Sequence, residues 1–192
     1  RLAAIMNSTD RPVQLIFSGK AHPRDAEGNE FVREVYKKTT GKPFRGRVWF
    51  VENYDMSIGR LLTSGCDVWL NNPIRPMEAS GTSGMKPPLN GGVNFSILDG
   101  WWPEGYNGRN GWAIGREQPE STRTRQDKVD AESIYSLLEN EIVPEFYDRG
   151  GDGVPTKWVE RMRESMTSVC AEFSSHRMVA DYVNQYYMPS HR

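Results

Sequence analysis

The chain has 192 residues, 37% of them hydrophobic, and its 24 lysines and arginines stand against 25 aspartates and glutamates for a formal net charge of −1. So balanced a charge exerts no global pull toward nucleic acid or anionic membrane, and an apolar fraction of this size can build a core, which excludes disorder. Two widely separated cysteines, Cys66 and Cys170, make no disulfide framework and fit a reducing, cytoplasmic setting; no apolar run approaches the roughly 20 residues that cross a bilayer, and the opening residues do not read as a signal peptide.

The first residues, Arg1-Leu2-Ala3-Ala4-Ile5-Met6-Asn7, lack an initiator Met and read as the second half of an amphipathic helix. Domain boundaries usually fall in polar linkers, so further sequence is expected upstream. Val13 to Gly19 is a short apolar run that suits a strand buried on both faces. Asp25 to Lys38 then reads as a helix carrying Phe31, Val35 and Tyr36, with Gly41 and Pro43 ending it. Arg47 to Glu52 is a second strand, Met56 to Thr63 a short helix, and Cys66 to Leu70 a third strand. Strands and helices alternating over short joints mark βαβ units with a parallel sheet, which Val93–Leu98 and Gly111–Ile114 extend.

The polar, charge-rich stretch from Arg116 to Asp130 reads as an exposed connector. Ala131 to Tyr147 has helical apolar spacing and a kink or break expected at Pro144. Gly150 to Gly153 is a turn; Trp158, Met162, Met166, Val169 and Phe173 mark the apolar face of a second helix, and Met178 to Tyr187 form a third, Tyr-rich one. Such aromatic stripes are read as core or interdomain packing. The predicted architecture is α/β, a Rossmann-like doubly wound parallel sheet over residues 1–130 with carboxy-terminal helices over 131–192.

Ligands of open α/β sheets bind beyond the carboxyl ends of the strands, which directs attention to Gly19-Lys20-Ala21-His22-Pro23, to Glu52-Asn53-Tyr54-Asp55 and to the segment opened by Asn71-Asn72-Pro73. In that last segment Ser80-Gly81-Thr82-Ser83-Gly84 leads into Met85-Lys86. Small residues let backbone N–H groups converge, so this is either an anion cradle or a Gly-rich turn capped by Thr82 or Ser83. It is not a P-loop, because Lys86 is followed by Pro87-Pro88. Met85, Pro87, Pro88 and Leu89 surround Lys86 with apolar groups, and a lysine so held gives up its proton more readily and can form a Schiff base. Glu78 is either a helix N-terminal partner or an acceptor for a polyhydroxylated ligand.

Glu78-Ala79-Ser80-Gly81-Thr82-Ser83-Gly84-Met85-Lys86, followed by Leu89-Asn90-Gly91 and Leu98-Asp99-Gly100, resembles the cofactor-lysine motif of the glycogen, starch and maltodextrin phosphorylases. Phe17 to Pro23 and Val51 to Tyr54 resemble two further blocks of that family in the same order. Leu98-Asp99-Gly100-Trp101-Trp102, Gly105 to Gly108 and Asn110 to Gly115 resemble its shorter bacterial and archaeal members, so that the likeness runs from about Leu2 to Tyr147.

The resemblance implies the carboxy-terminal lobe of a GT-B glycosyltransferase that phosphorolyses terminal α-1,4-glucosyl units to α-glucose 1-phosphate. By that likeness Lys86 is the catalytic cofactor lysine, holding pyridoxal 5′-phosphate as a Schiff base. Thr82 and the amides of Gly81, Thr82 and Ser83 hold the cofactor phosphate, Tyr54 lies near the cofactor, and Glu78, Ala79, Ser80 and Gly81 line the glucosyl pocket. The implied partners are α-1,4-glucan, inorganic phosphate and an amino-terminal lobe of the same enzyme; an oligomer is compatible with the reading, whereas nucleic acid, membrane and a metal site are not expected. Many members read Gly-Asn where this chain has Ser83-Gly84, which displaces the glycine by one position. A basic Tyr-Lys-Arg-type segment that grips the two phosphates belongs just upstream of Arg1, so these 192 residues alone are expected to be inactive and to hold the cofactor poorly, if at all. Two alternatives stay open: a nucleotide-sugar glycosyltransferase of glycogen or starch synthase type, and a non-catalytic glucan-binding module using Trp101, Trp102 and Trp112 as a stacking platform.

Overall fold

The computed structural model describes residues 1–116 and 120–191. Its contacts divide the chain into two compact units, residues 1–62 with 135–147 and residues 63–134 with 148–192.

The first unit begins with α1 (Leu2–Met6), which buries Ile5 and Met6. Strands β1 (Leu15–Ser18) and β2 (Val48–Val51) pair in parallel, Leu15 opposite Val48 through Ser18 opposite Val51. Parallel neighbours need a crossover, here α2 (Ala26–Thr40). Asp25 starts it by accepting from the Gly28 amide at 2.9 Å, and Gly41 follows its last turn, where Lys37 and Lys38 complement the helix dipole. Tyr36 of α2 meets Phe50 of β2 edge-on, 6.4 Å between ring centroids. The expected burial of β1 on both faces is not found: Ile16 is 49% and Phe17 36% exposed, as is Trp49 of β2 at 49%. A two-stranded ribbon with one crossover helix has too little neighbouring structure to cover both faces. Helix α3 (Met56–Gly65) follows β2 and leads into the second unit.

The second unit holds a three-stranded parallel sheet in the order β3 (Val68–Asn71), β4 (Val93–Ile97), β5 (Gly111–Ile114). Register runs Val68 opposite Val93 and Asn94 opposite Gly111. β4 is buried at every position. The expected α/β class with parallel strands is therefore present, but its ladders form two sheets where the pattern predicts one, because alternation of helix and strand reports connectivity and not which strands exchange hydrogen bonds. After β4, the short α4 (Trp102–Gly105) places Trp101 and Trp102 in a core with Val169, and Phe173 packs edge-on to Trp101 at 4.9 Å. Trp112 is 3% exposed, stacked under the Arg161 guanidinium at 4.1 Å. The three tryptophans of the stacking-platform alternative are thus buried and offer no face to a sugar, which overturns that reading.

The connector predicted over Arg116–Asp130 becomes helical at Arg123, where α5 (Arg123–Leu137) begins; its residues Glu117–Pro119 lie outside the described ones. Few apolar residues mark that first turn, but buried Gln126 accepts from the Glu120 amide at 2.7 Å and donates to Asp130 at 2.8 Å. A π-turn over Leu138–Ile142 then leads into α6 (Val143–Tyr147). The wider turn accommodates Pro144, which has no N–H to donate and crowds the carbonyl four residues back.

α7 (Thr156–Val169) buries Trp158, Ser165 and Val169, and the Ser165 hydroxyl donates to the Gly92 carbonyl at 3.0 Å. Met166, expected on that face, is 41% exposed. α8 (Ser175–Tyr182) is capped by Ser174, and its Met178 and Tyr182 stay exposed, as do Tyr186 and Tyr187 beyond it; of the two readings of this stripe, core or interdomain packing, the core one does not hold here. Among the described residues no helix is long and apolar enough to cross a membrane.

Candidate active site

The long connection between β3 and β4 is built from consecutive turns. The Met77 amide donates to the Ile74 carbonyl at 2.7 Å, Glu78 to Gly81 form a short irregular strap, and 3₁₀ turns over Thr82–Met85 and Pro87–Asn90 return the chain to β4. Gly81 stands at φ +74°, a left-handed conformation that costs a residue with a Cβ roughly 1–2 kcal/mol. The Gly84 amide closes the first turn onto the Gly81 carbonyl at 3.1 Å and the Lys86 amide donates to Ser83 at 3.3 Å. Pro87 opens the second turn, where its missing N–H is not needed.

Three hydrogen bonds fasten this connection to β4 and its continuation. The Glu78 amide donates to Asp99 Oδ2 at 3.0 Å, the Trp101 amide to the Ser80 carbonyl at 2.8 Å, and Asn94 Nδ2 to the Gly84 carbonyl at 2.8 Å. Gly100, at φ +58°, permits the closest approach: a Cβ there would lie 2.5 Å from the Ser80 oxygen and 2.9 Å from Glu78 Cγ. Neither Asn94 nor Asp99 is among the site residues expected from the sequence. The sequence signal for Asn94 is a carboxamide between the apolar residues Val93 and Phe95 of a strand.

Glu78 and Gly81 are brought together, since a Cβ on Gly81 would stand 2.9 Å from Glu78 Oε1. Ala79, Ser80, Thr82, Ser83 and Lys86 are exposed, and Glu78 and Gly81 are half-buried. Lys86 therefore lacks the apolar enclosure expected from its neighbours: Pro87 and Pro88 are buried, while the lysine and Leu89 face outward. A 3₁₀ turn uses the Gly81 carbonyl for its first bond, so the amides of Thr82 and Ser83 precede any intraturn acceptor; among the described residues nothing accepts from them. An exposed primary amine beside open amides and two exposed hydroxyls is the donor set that an aldehyde carrying a phosphate requires, so these residues fit pyridoxal 5′-phosphate. The displaced glycine has a physical reason. Gly84 is absent from the positive-φ positions, and a Cβ on it would lie 2.9 Å from Asn94 Oδ1 and 3.1 Å from Trp101 Nε1. Backbone freedom resides at Gly81, and Gly84 supplies room.

Tyr54 lies in the first unit and is 40% exposed, its ring packed over α3, where a Cβ on Gly59 would meet the hydroxyl at 2.7 Å. It follows Asn53 at φ +57°, an uncommon conformation for a residue with a Cβ. Asp55 then caps α3, and the Ile58 amide and Ser57 hydroxyl that it accepts hold its carboxyl below the usual range. In the first loop His22 Nδ1 accepts from the Arg24 amide at 3.2 Å and its carbonyl from the Asp25 amide at 2.8 Å, a turn that leads into α2. Burial pushes the Cys66 thiol, just before β3, up to about 11, and raises Cys170 as well. Among the described residues no group of three or more His, Cys, Asp or Glu could hold a metal ion.

Residues 2–141 match the model of the carbohydrate phosphorylases. The chain is 50% identical over 187 residues to a glycogen phosphorylase of Aquifex aeolicus, covering 97% of this chain and 27% of that protein. It is 50% identical over 187 residues to a maltodextrin phosphorylase of Thermococcus litoralis and 47% identical over 190 residues to a glycogen phosphorylase of Mycobacterium bovis, each covered to 22% of its length. The chain thus spans about a quarter of the length of these relatives. The family match decides against the glycogen or starch synthase alternative, and the ordered blocks around Glu78–Lys86, Phe17–Pro23 and Val51–Tyr54 lie inside the matched residues: the chain belongs to the carbohydrate phosphorylase family.

Proposed function

We propose that this chain is the cofactor-bearing part of the carboxy-terminal lobe of a GT-B α-glucan phosphorylase, which releases terminal α-1,4-glucosyl units as α-glucose 1-phosphate. The observation that carries the reading is the turn from Gly81 to Lys86, with an accessible lysine following Thr82 and Ser83 amides that find no acceptor among the described residues. Lys86 holds the cofactor covalently, and Thr82 and the amides of Gly81, Thr82 and Ser83 hold its phosphate. When bound, pyridoxal 5′-phosphate supplies through its phosphate a proton donor or electrostatic partner for the substrate phosphate. Glu78 accepts from sugar hydroxyls and, with Ala79, Ser80 and Gly81, orients the glucosyl unit. Because the substrate phosphate provides both the acid and the attacking oxygen, Glu78 binds and does not act as nucleophile. α-1,4-Glucan and inorganic phosphate are the substrates, and an amino-terminal lobe of the same polypeptide completes the sugar site. Two free thiols, Cys66 and Cys170, support assignment to the cytoplasm.

Two phosphates in contact repel and need cations close by, and the turn from Gly81 to Lys86 itself carries a single one, Lys86. These 192 residues by themselves are therefore expected not to turn over. Glucose 1-phosphate formation from maltodextrin and phosphate tests both statements: activity is expected from the longest natural polypeptide carrying this sequence, lost in Lys86→Ala, and absent from the 192-residue chain. Turnover by the Lys86→Ala polypeptide at the parent rate would exclude the phosphorylase reading.

A further inference from the structure

β4 is buried along its length, and Asn94 interrupts it with a carboxamide that is 1% exposed. A buried amide is tolerated where it is hydrogen-bonded, and the bond made here leaves the strand for the Gly84 carbonyl, 2.8 Å away. A side chain at position 84 and the carboxamide at position 94 exclude one another, since a Cβ on Gly84 would lie 2.9 Å from Asn94 Oδ1. Gly84 stands two residues before Lys86. Holding its carbonyl fixes the peptide plane between Gly84 and Met85, and with it the direction in which the chain delivers Lys86. The turn's own closures, at 3.1 and 3.3 Å, belong to a short 3₁₀ segment with exposed Thr82 and Ser83, an arrangement that opens locally unless tied to a buried element.

We propose that Asn94 is the positioning residue of Lys86: from the buried strand it holds the Gly84 carbonyl, fixes the Thr82–Met85 turn, and so presents the lysine amine to the cofactor. The inference rests on the reading of Lys86 as the cofactor lysine, and Asn94 itself touches neither cofactor nor substrate. Opening the turn would leave a buried donor and a buried acceptor unpaired together.

The test uses the longest natural polypeptide carrying this sequence, with pyridoxal 5′-phosphate as probe. Asn94→Leu keeps the shape and removes the donor. Its Kd for the cofactor is expected to rise at least about tenfold, and the Gly84 and Lys86 amides to exchange with solvent at least about tenfold faster, while those of Phe95 and Ile97 stay within about twofold. Asn94→Asp donates to Gly84 only while its carboxyl is protonated. Relative to the parent, its affinity is expected to be close at acid pH and to fall as pH rises, and this profile carries the test if Asn94→Leu does not fold. Parent-like affinity and Gly84 exchange in Asn94→Leu, or an Asn94→Asp profile that tracks the parent at every pH, would overturn the proposal. A parent that takes up no cofactor at Lys86 would instead remove the phosphorylase reading, and the exchange rate at Gly84 would still decide whether Asn94 holds the turn.

Discussion

Replacing Gly100 by alanine isolates the contact that fastens the Glu78–Ser80 strap to the end of β4. At φ +58° the left-handed conformation costs the new residue roughly 1–2 kcal/mol. The added methyl would also stand 2.5 Å from the Ser80 carbonyl and 2.9 Å from Glu78 Cγ, and because the nearer group is backbone the strap must move; overpacking of this kind costs roughly 1–3 kcal/mol. The sum, about 2–5 kcal/mol, is a large share of the 5–15 kcal/mol typical of a domain. Gly108→Ala is the matched control. It has φ +83° and nothing within 4 Å of its Cβ position, so it carries the backbone cost alone. Urea unfolding of both variants should show Gly100→Ala less stable than Gly108→Ala by the crowding contribution of about 1–3 kcal/mol. Displacing the strap also strains the Trp101-to-Ser80 bond of 2.8 Å and the Glu78-to-Asp99 bond of 3.0 Å, so KM for glucan should rise in Gly100→Ala and not in Gly108→Ala. Equal stabilities and equal KM values for the two variants would refute the reasoning.

Glu78→Gln is expected to lower kcat/KM for glucan roughly 10–100-fold with cofactor content unchanged, read from the bound-cofactor absorbance; loss of cofactor would give Glu78 a structural role instead. The Cys66 thiol, raised from 9.0 to about 11 by burial, contributes stability below pH 9 that is lost as pH climbs through 11. Alkylation of the native chain at pH 9 should therefore modify Cys66 far more slowly than in urea, and Cys66→Ser should flatten the alkaline arm of the stability profile; equal rates in the two states would contradict this.

What the sequence made legible follows physical range. α2 was readable at both ends because Asp25 and Gly41 act within a turn of themselves, and β4 and β5 because short runs rich in Val, Ile, Phe and Trp between Gly-rich joints have few other uses. The start of α5 was not, since its anchor is the polar pair Gln126 and Asp130 and not an apolar face. Ser165 was missed on α7 for the same reason: its burial depends on a carbonyl, Gly92, that lies 73 residues away in the chain. In the site, the small residues from Ser80 to Gly84 announced a turn, but the reason for each was hidden. Only the placement of Asn94 and Trp101 reveals that Gly84 is needed for room, and only the fold joins Glu78 to Asp99. The apolar neighbours of Lys86 were misleading because sequence adjacency does not say which way a side chain turns, and here Pro87 and Pro88 turn inward while the lysine turns out.

The central claim is that Lys86 carries pyridoxal 5′-phosphate, and it is tested most directly by covalent trapping. The longest natural polypeptide carrying this sequence, reduced with borohydride and digested, should show the phosphopyridoxyl mass on the peptide containing Lys86, at close to one per chain. The mass on Lys20, or on no lysine at all, would contradict the account.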